Sequence, residues 1–495
     1  MKIRRKQPGL LKVITDEEVE MIHEASLRIL SEVGVKYPNS EILAIFDGAG
    51  ATVDYKTQIV KIPASLVDKM LQGSKKDFLT VKSDSGPPLI LGDGDLKLSM
   101  DATPIIVDVK NGTCRTGTRE DIMRGIAVSN ALPNVRLAAG YCNPSDIHPE
   151  AADVLSHELL FTYSKKAVSS WIYSLRSAEY ILEMAKIVAG GDKALREKKL
   201  FTYFAEPLSP LTYAKHTLEV VLLLSAHGIP INFGPMVTMG GTGPATIAGS
   251  LAMHNAEMLQ GLTLLYLCNP DQPLIYSMHA HSLDMATMYT QYGAPEQALL
   301  AVGATQLAKK YGFAVAGNVM LSDSNTLDYM AGFEEAATTS FALAAGWDML
   351  GFVGYGTIGV VGNGVGHSLE KVIIQDEALS YMKRILSSFD VNEETLGVDL
   401  IKDVGPGGFF SSEEHTVRHM KEEIWRGNGI FKNITYTVWE NEGRKTVTDR
   451  AHERLLAILE DATPMKPVLS ESMADSLAYI TAQAVKECES KKKGE

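Results

Sequence analysis

Residues 314–339 read AVAGNVMLSDSNTLDYMAGFEEAATT and predict a strand, a polar turn and a helix in direct succession. The apolar run Ala314–Leu321 is short enough for a fully buried strand. The polar residues after it are of the types that cap helices and fill strand-to-helix turns, and an amphipathic pattern follows them. Because the functional groups of such a βα unit lie past the C-terminal end of its strand, we expect Asn318, Leu321 and Asp323 to face an active site.

The same alternation of strand and helix occurs on both sides of this stretch. The predicted strands are Leu98–Val107, Val135–Cys142, Ala167–Ser174, Leu200–Pro207, Ile231–Val237, Leu274–Ser282, Ala314–Leu321 and Met349–Tyr355. The helices that follow them are predicted at Arg119–Ala131, Ala151–Ser164, Ala178–Ala189, Tyr213–His227, Pro244–Leu267, Pro295–Tyr311, Asp328–Ala345 and Leu369–Ser387. Eight such pairs predict an α/β fold, a closed TIM (β/α)8 barrel rather than an open sheet. In the first pair, Asn111–Gly112 leaves a hairpin turn open as an alternative.

Two additions flank the predicted barrel, which covers residues 96–389. Residues 1–95 predict an N-terminal helical cap, in which Thr15 and Glu18 have the spacing of a capping box. Residues 390–495 predict C-terminal helical additions that pack on the barrel and end in two helices. We expect these helices at Thr448–Asp461 and Ser470–Cys488.

Composition narrows the class of protein. The chain has 495 residues, 45% of them hydrophobic, and a net charge of −13, which argues against a nucleic-acid partner. The basic start is followed by no apolar core of a signal peptide, and no apolar run is long enough to span a membrane. The four cysteines are far apart and form no C-x-x-C pair. We therefore expect a soluble, cytoplasmic protein with reduced cysteines.

The predicted strand ends carry aromatic and acidic side chains that suit a cationic ligand. Trp171 and Tyr173 lie at the end of one predicted strand, and Glu206 and Tyr355 lie at the ends of two others. Aromatic faces and carboxylates together bind quaternary ammonium groups, so these four residues are predicted to contact substrate. The alternative is that the aromatic rings only fill the top of the barrel.

His279 and His281 place two imidazoles on one face of a strand, because strand side chains repeat every two residues. They could bind a metal, with Glu206 and Asp323 as further ligands, and the protein would then be a metal-dependent TIM-barrel hydrolase. The chain has no HExxH motif and no cysteine cluster. Hydrogen bonding to a substrate carboxylate or a cofactor is therefore the favoured interpretation, and no metal is expected.

A glycine-rich loop, Met239–Pro244, lies between a predicted strand and a predicted helix. Exposed amides of Gly240, Gly241 and Gly243 could hold an anion and are predicted to bind a cofactor, with a tight turn as the alternative. The segment Asp146–Ala151 matches D-x-H-x-x-G, the signature of corrinoid-binding domains, except at the last position, where it has Ala151 in place of glycine. We therefore expect no tightly bound corrinoid in this chain.

Several of these stretches together resemble the trimethylamine methyltransferase family. The similarity is carried by Gly240–Glu257, by Ser322-Asp323-Ser324 with Ala331-Gly332-Phe333-Glu334, and by Ala451-His452-Glu453. The resemblance implies a TIM barrel that moves a methyl group from an amine to the Co(I) of a corrinoid held by a partner protein. The corrinoid, cob(I)alamin in its simplest form, would thus be supplied in trans.

The resemblance also predicts the class of substrate. The trimethylamine enzymes of the family carry pyrrolysine immediately before the Ser-Asp pair, and this chain has Leu321 there. It therefore resembles the members that demethylate quaternary amines such as glycine betaine. A betaine carboxylate could be held by His279, His281 or the glycine amides. A binding protein without catalytic activity remains an alternative, and the apolar additions favour a homo-oligomer.

Overall fold

Eight parallel strands form the central sheet of the computed structural model, which describes residues 11–76, 79–81, 86–100, 102–169, 171–351, 358–362 and 364–492. The strands are β1 (Lys97–Ser99), β2 (Val135–Ala138), β3 (Ala167–Ser169), β4 (Phe201–Ala205), β5 (Ile231–Phe233), β6 (Tyr276–Met278), β7 (Val315–Gly317) and β8 (Met349–Leu350). Their spatial order is β5-β4-β3-β2-β1-β8-β7-β6, and the paired strands run parallel. Ser277 Oγ donates to Asn232 Oδ1 over 2.6 Å and joins β6 to β5. The predicted TIM barrel is confirmed as a nearly closed barrel.

A helix follows each barrel strand. These helices are α1 (Arg119–Ala131), α2 (Ala152–Tyr163), α3 (Leu175–Ala189), α4 (Lys215–Ala226), α5 (Ile247–Cys268), α6 (Pro295–Tyr311), α7 (Tyr329–Ala345) and α8 (Leu369–Leu386). The predicted bounds of α1 and α6 agree with the structure residue for residue. Local signals explain this agreement: the Thr118 amide donates to the Asp121 carboxylate at the start of α1, and Pro295 and Gly312 delimit α6.

The barrel strands are shorter than the apolar runs that predicted them. Ala314–Leu321 leaves the sheet after Gly317, whose φ is 152° and whose Cβ, if present, would lie 2.0 Å from the Met278 carbonyl oxygen. Leu98–Val107 begins within β1 and then contains part of a hairpin, Ile105–Asp108 with Thr113–Thr116, as the Asn111–Gly112 alternative predicted. Further short strands form pairs of their own beyond the barrel strands: Ala102–Thr103, Tyr141–Cys142, Thr238–Met239, His281–Leu283, Thr290–Gln291, Val360–Val361 and Gly366–His367. Segments that line the mouth are as apolar as the barrel itself, so hydrophobicity did not mark where each strand ends.

A hairpin closes the N-terminal end of the barrel. Its strands, Leu79–Val81 and Leu89–Leu91, pair antiparallel. Their side chains Val81, Leu89 and Leu91 form one apolar cluster with inward-facing residues of the barrel: Leu137, Ala167, Phe204, Ile275, Ala316 and Met349. A substrate therefore approaches from the opposite end, at the C-terminal ends of the strands.

The described part of the N-terminal segment contains helices and a small antiparallel sheet. The helices are Asp16–Arg28, the π-helical turn Ile29–Val33, Ser40–Gly48 and Ala64–Gly73, and the strands are Val35–Lys36, Thr52–Asp54 and Ile59–Lys61. The predicted capping box is present, since the Glu18 amide donates to Thr15 Oγ1 and the Thr15 amide to Glu18 Oε2. Ser26 Oγ donates to the Ala252 carbonyl of α5 over 2.8 Å. The domain boundary at residue 95 stays a prediction.

Helices dominate the C-terminal segment. They are Glu393–Leu396, Val398–Val404, Glu414–Glu423, Tyr436–Asn441, Val447–Asp461 and Glu471–Lys492, the last two close to their predicted positions. A further short helix, Asp192–Lys198, precedes β4. Within the described ranges, no helix has the length and hydropathy needed to cross a bilayer.

Candidate active site

The two-residue period of the strands determines which side chains point into the barrel mouth. On β4, Phe204 packs in the inner barrel cluster, so Glu206, two residues further along, continues on the inward side. On β6, Ser277 bonds across to β5, and the same period places His279 and His281 above it. The inward face of the mouth therefore carries a carboxyl group and two imidazoles.

A row of ring contacts crosses the floor of this mouth. The Trp171 ring lies edge-on to Phe204 at a centroid distance of 5.8 Å, and Phe204 lies edge-on to His279 at 5.2 Å. Gly234, after β5, passes between the last two rings: a Cβ there would lie 2.2 Å from Phe204 Cε2 and 2.7 Å from His279 Cδ2. Sequence reasoning missed Phe204 and Gly234, because a Phe in a strand looks like core and a Gly before Pro looks like a turn. The position of Phe204, two residues before Glu206, was the available signal.

Asn318 is held beside His279 at the start of the loop after β7. The Asn318 amide donates to the Met278 carbonyl over 2.9 Å, and its carbonyl accepts from Gln297 Nε2 over 2.6 Å. The Asn318 side chain lies next to the imidazole of His279. Burial lowers the pKa of His279 to about 4, so this ring is neutral at pH 7. Its Nε2 atom meets no hydrogen-bond partner among the residues that the structure describes, which leaves it available to a ligand.

Glu206 has no hydrogen-bond or ion-pair partner in the described ranges of the chain. Burial raises its pKa to about 7. Even a half-buried carboxylate without a counter-charge is unfavourable, because the protein interior solvates charge less well than water does. A cationic ligand at this position would stabilise the ionised form.

His281, Tyr292 and Leu321 pack together beside the row of rings. The His281 and Tyr292 rings meet edge-on at a centroid distance of 4.7 Å. Tyr292, Leu321 and Val360 form a small apolar cluster that Met236 joins. Burial lowers the pKa of His281 to about 3, so it too is neutral at pH 7. Leu321 is thus a buried apolar residue of the mouth, and its side chain offers no group for covalent chemistry.

Asp323 holds two loops together. Its Oδ1 accepts from the Tyr292 amide over 2.7 Å and its Oδ2 from the Gly293 amide over 3.2 Å. Glu334 of α7 accepts in turn from the Ser322 hydroxyl over 2.8 Å and from the Asp323 amide over 3.0 Å. Burial raises the pKa of Asp323. Both oxygens of Asp323 are therefore engaged by backbone amides, and its contribution to the mouth is to position Tyr292.

Tyr173 lies at the outer rim of the mouth. Its side chain is exposed, its hydroxyl donates to Asn143 Oδ1 over 2.8 Å, and its amide donates to Asp153 Oδ2 over 2.8 Å. The row that begins at Trp171 lies deeper. Tyr355 falls outside the described residues, so its predicted contact with substrate stays a prediction.

The glycine-rich loop after β5 uses its amides internally. The Gly240 amide donates to the Gly243 carbonyl over 3.1 Å, and the amides of Gly241 and Gly243 each donate to the Thr238 carbonyl over 3.0 Å. Gly240 has a φ of 81°, which favours glycine. This geometry favours the tight turn over an anion site, since the predicted cofactor contact would require these amides to be released.

Among the residues that the structure describes, His279 and His281 belong to no compact cluster of three potential metal ligands. Asp323, one of the carboxylates predicted to complete such a centre, is engaged by two amides. Within the described ranges, the one compact set of three potential ligands is Glu20, His23 and Glu24 on the N-terminal helix. The metal-dependent hydrolase considered from the sequence is therefore not supported.

Comparison with known proteins identifies the family. The family model described as trimethylamine methyltransferase (MTTB) matches residues 1–488. The chain belongs to this family. It is 31% identical over 472 residues to the trimethylamine methyltransferase MttB of Desulfitobacterium hafniense strain DSM 10664 / DCB-2, with 95% of this chain and 93% of that protein covered. It is 29% identical over 480 residues to the glycine betaine methyltransferase of Desulfitobacterium hafniense strain Y51, with 96% and 97% covered.

A solved structure of similar fold supports the barrel. The hydroxylamine complex of MtmB superposes with a TM-score of 0.52 at 12% sequence identity, over 90% of this chain and 88% of that one. The resemblance to trimethylamine methyltransferases expected from the sequence is thus confirmed for the family and the fold.

The segment of α5 that most resembles the trimethylamine methyltransferase family holds neighbouring elements together. Asn255 Nδ2 donates to the hydroxyls of Ser26 and Tyr311, each over 2.9 Å, and so joins the N-terminal helix and α6 to α5. Glu257 accepts from the Leu211 amide over 2.6 Å, and burial raises its pKa to about 7. These residues of α5 stabilise the scaffold around the mouth.

Proposed function

We propose that this methyltransferase moves a methyl group from a quaternary amine to a corrinoid bound by a partner protein. The observation that carries the proposal is Glu206, a half-buried carboxyl group at the mouth with no counter-charge in the described chain. It continues the inward face on which Phe204 and Trp171 present their rings. A carboxylate next to aromatic faces favours a cation with a fixed charge and an apolar surface.

The charges of the loops around the mouth support a cationic substrate. The eight loops between a barrel strand and its helix contain two Lys or Arg residues, Lys110 and Arg115. Lys110 Nζ lies 3.5 Å from Asp449 Oδ1, and Arg115 Nη1 lies 2.6 Å from Asp121 Oδ2. Each of these two positive charges is compensated by a carboxylate, so neither would repel a cationic ligand at the mouth.

Leu321 supports a quaternary amine over trimethylamine. The family resemblance places this residue where trimethylamine enzymes carry pyrrolysine, and here it is buried in an apolar cluster. Without a covalent activating group, the substrate itself must contain a good leaving group. A quaternary ammonium meets this condition, because a neutral tertiary amine departs when its C–N bond breaks.

The residues of the mouth then have simple tasks. A reduced corrinoid, Co(I), supplies the electron pair that forms the new bond to the methyl carbon. The pair of the broken C–N bond stays on nitrogen, so no proton has to move and no general base is needed. Glu206 and the rings of Trp171 and Phe204 hold the ammonium group, while Leu321 and its neighbours exclude water and orient one methyl group outward.

The neutral imidazole of His279 supports a betaine as the substrate. Its buried Nε2 atom has no partner among the described residues and can donate to a carboxylate when it carries the proton. A substrate with an ammonium group at Glu206 and a carboxylate at His279 satisfies both groups. Glycine betaine and related betaines have this composition.

The experiment is an anaerobic assay with the purified full chain and chemically reduced cob(I)alamin. Trimethylamine, tetramethylammonium and individual betaines are added separately, and methylation of the corrinoid is followed by absorbance. We expect methylation with a betaine and none with trimethylamine. The demethylated amine, identified by mass spectrometry, must appear in equal amount.

Variants at two carboxylates make this assay specific for the mouth. Glu206→Gln should abolish methylation, whereas Glu150→Gln, at an exposed carboxylate after β2, should leave it unchanged. Binding of a betaine without turnover would instead favour the binding-protein alternative. Absence of both binding and turnover with every quaternary amine would refute the proposal.

A further inference from the structure

The first two turns of α8 hold the two loops that meet beside Leu321. Gln375 is fully buried on this helix and uses both ends of its side-chain amide. Its Nε2 donates to the Met320 carbonyl over 2.8 Å, and its Oε1 accepts from the Gly359 amide over 2.6 Å. Met320 belongs to the loop after β7, and Gly359 belongs to the chain that leads from β8 to α8. One buried side chain therefore ties these two loops together.

Gly359 packs directly against α8. Besides its amide, its carbonyl is engaged there, since it accepts from the Ser368 amide at the start of the helix over 2.8 Å. Its φ is 87°, and a Cβ at this position would lie 2.5 Å from Val372 Cγ2. Only glycine combines this conformation with so close an approach, so the position of Gly359 on α8 is fixed.

Lys371 fixes the next residue of this loop, Val360, independently of Gln375. Lys371 is buried one helical turn before Gln375, and its Nζ donates to the Val360 carbonyl over 2.7 Å. The same Nζ lies 2.6 Å from Glu335 Oε1 of α7, so the charge of Lys371 is compensated. The loop that leads from β8 is thus attached to α8 by several bonds, and Gln375 links the loop after β7 to it.

The backbone of Met320 shows that the loop after β7 is held by its surroundings. Its φ of 66° lies in the left-handed region, which residues other than glycine rarely adopt. Such a conformation persists only where neighbouring contacts maintain it. Gln297 of α6 donates to the Asn318 carbonyl, and Gln375 donates to the Met320 carbonyl. Two buried glutamines therefore set the direction in which this loop reaches Leu321.

We propose that Gln375 is a positioning residue that fixes Leu321 against Val360 and so sets the size of the ammonium group that the mouth accepts. Leu321 and Val360 pack with Tyr292 in one apolar cluster of the mouth. Each of them directly follows a residue whose backbone is bonded to Gln375. One methylene more or less in an apolar pocket changes affinity roughly 10-fold to 200-fold, so a small displacement of this wall changes which cation fits. The inference rests on the proposed function for the class of ligand.

Titration calorimetry of the full chain with tetramethylammonium and tetraethylammonium tests the proposal. We expect the wild-type chain to prefer tetramethylammonium. Gln375→Met keeps the length of the side chain and removes both hydrogen bonds. It should reduce this preference at least tenfold, and it should lower kcat for methyl transfer from a betaine to cob(I)alamin at least tenfold, because the methyl group is then misaligned.

Gln306→Met is the matched control. Gln306 also joins two backbone groups, since its Oε1 accepts from the Val13 amide over 2.9 Å and its Nε2 donates to the Ile14 carbonyl over 2.7 Å. These contacts attach the N-terminal segment to α6 and involve neither loop of the mouth. Gln306→Met should lose stability as Gln375→Met does but keep both the preference and kcat.

Hydrogen exchange followed by mass spectrometry tests the role of Gln375 without any ligand. Peptides that cover residues 318–324 should exchange at least tenfold faster in Gln375→Met and at the wild-type rate in Gln306→Met. Gln375→Glu is the second variant, in case Gln375→Met does not fold. It keeps the acceptor for Gly359, loses the donor to Met320 when ionised, and should change the exchange of the same peptides and the preference in the same direction.

Two results would overturn the inference. One is unchanged exchange of residues 318–324 in these variants, and the other is faster exchange with an unchanged preference and an unchanged kcat. If the wild-type chain bound neither cation, the proposed function would fall and the size selectivity with it. Faster exchange in Gln375→Met would still confirm that Gln375 positions the loop, so the two failures are distinguishable.

Discussion

Replacing Glu206 by Gln should stabilise the ligand-free protein at alkaline pH and weaken its binding of substrate. The substitution keeps the size of the side chain and removes its charge. Burial raises the pKa of Glu206 to about 7, and no partner in the described chain compensates its charge. An uncompensated carboxylate of this kind lowers the stability of the ligand-free protein, and a bound cationic ligand removes this destabilisation.

Glu206 holds its proton more tightly in the folded protein than in the unfolded chain. Its ordinary pKa is 4.5, against about 7 in the folded state. The free energy of unfolding is therefore unaffected below pH 4.5, falls as the pH rises from 4.5 to 7, and stays at the lower value above. The difference between the two pKa values corresponds to about 3 kcal/mol. Glu206→Gln should thus gain up to about 3 kcal/mol at pH 8 and little at pH 4.5.

The same charge determines the affinity for a quaternary ammonium. A pair of opposite charges about 4 Å apart near a protein surface gains about 4 kcal/mol, and solvation losses reduce this to about 2–4 kcal/mol. Glu206→Gln should therefore lower the affinity at pH 8 by roughly 30-fold to 1,000-fold. The wild-type affinity should rise as the pH passes through 7, and the affinity of the variant should not.

Urea unfolding at pH 4.5 and 8 and titration calorimetry with glycine betaine and tetramethylammonium measure both effects. Glu150→Gln, at an exposed carboxylate, controls for the loss of one negative charge. An unchanged affinity at pH 8, together with unchanged or lower stability of Glu206→Gln, would refute the reasoning. It would mean that Glu206 is either solvated or paired in solution.

Further predictions concern the floor of the mouth and its supporting turn. Gly234→Ala should cost about 1–3 kcal/mol of stability and most of the substrate affinity, because its Cβ would lie 2.2 Å from the Phe204 ring. Gly332→Ala is the control, since the new Cβ in α7 would meet open space. It should be neutral or stabilising in the same thermal and calorimetric assays. Trp171→Leu should lower the affinity for quaternary amines about 5-fold to 30-fold, and Trp171→Phe should restore part of it, because the ring face contributes the cation–π attraction. Asp323→Ala should destabilise the protein by about 1–3 kcal/mol in urea unfolding, since two backbone amides lose their acceptor. A loss of substrate affinity without a loss of stability would instead show that Asp323 contacts the substrate directly.

The barrel was predictable because its signals are local. Each βα unit has an apolar run, a polar turn and an amphipathic helix, and caps such as Pro295 and Gly312 placed the ends of α6 correctly. The ends of the strands were not predictable in this way. Whether an apolar residue after Gly317 continues the ladder or lines the mouth depends on the neighbouring strand, which lies far away in the sequence.

The candidate site was predictable in part. The period of the strands correctly placed Glu206 and His279 near the C-terminal ends of β4 and β6. The role of Asp323 was not apparent, because its two acceptor contacts come from a different loop. The same holds for the glycine-rich loop, whose amides bond within a turn that its sequence equally allowed.

The sequence by itself determined the eight βα units, the family, and the residue types at the strand ends, since all three depend on patterns within short segments. The tertiary structure alone decided which of these residues meet. Trp171, Phe204, Gly234, His279 and Asn318 come from five successive units, and closure of the barrel brings them into one row. The state of Glu206, half-buried and without a counter-charge in the described chain, also follows from that closure, because burial and pairing are properties of the surroundings and not of the residue.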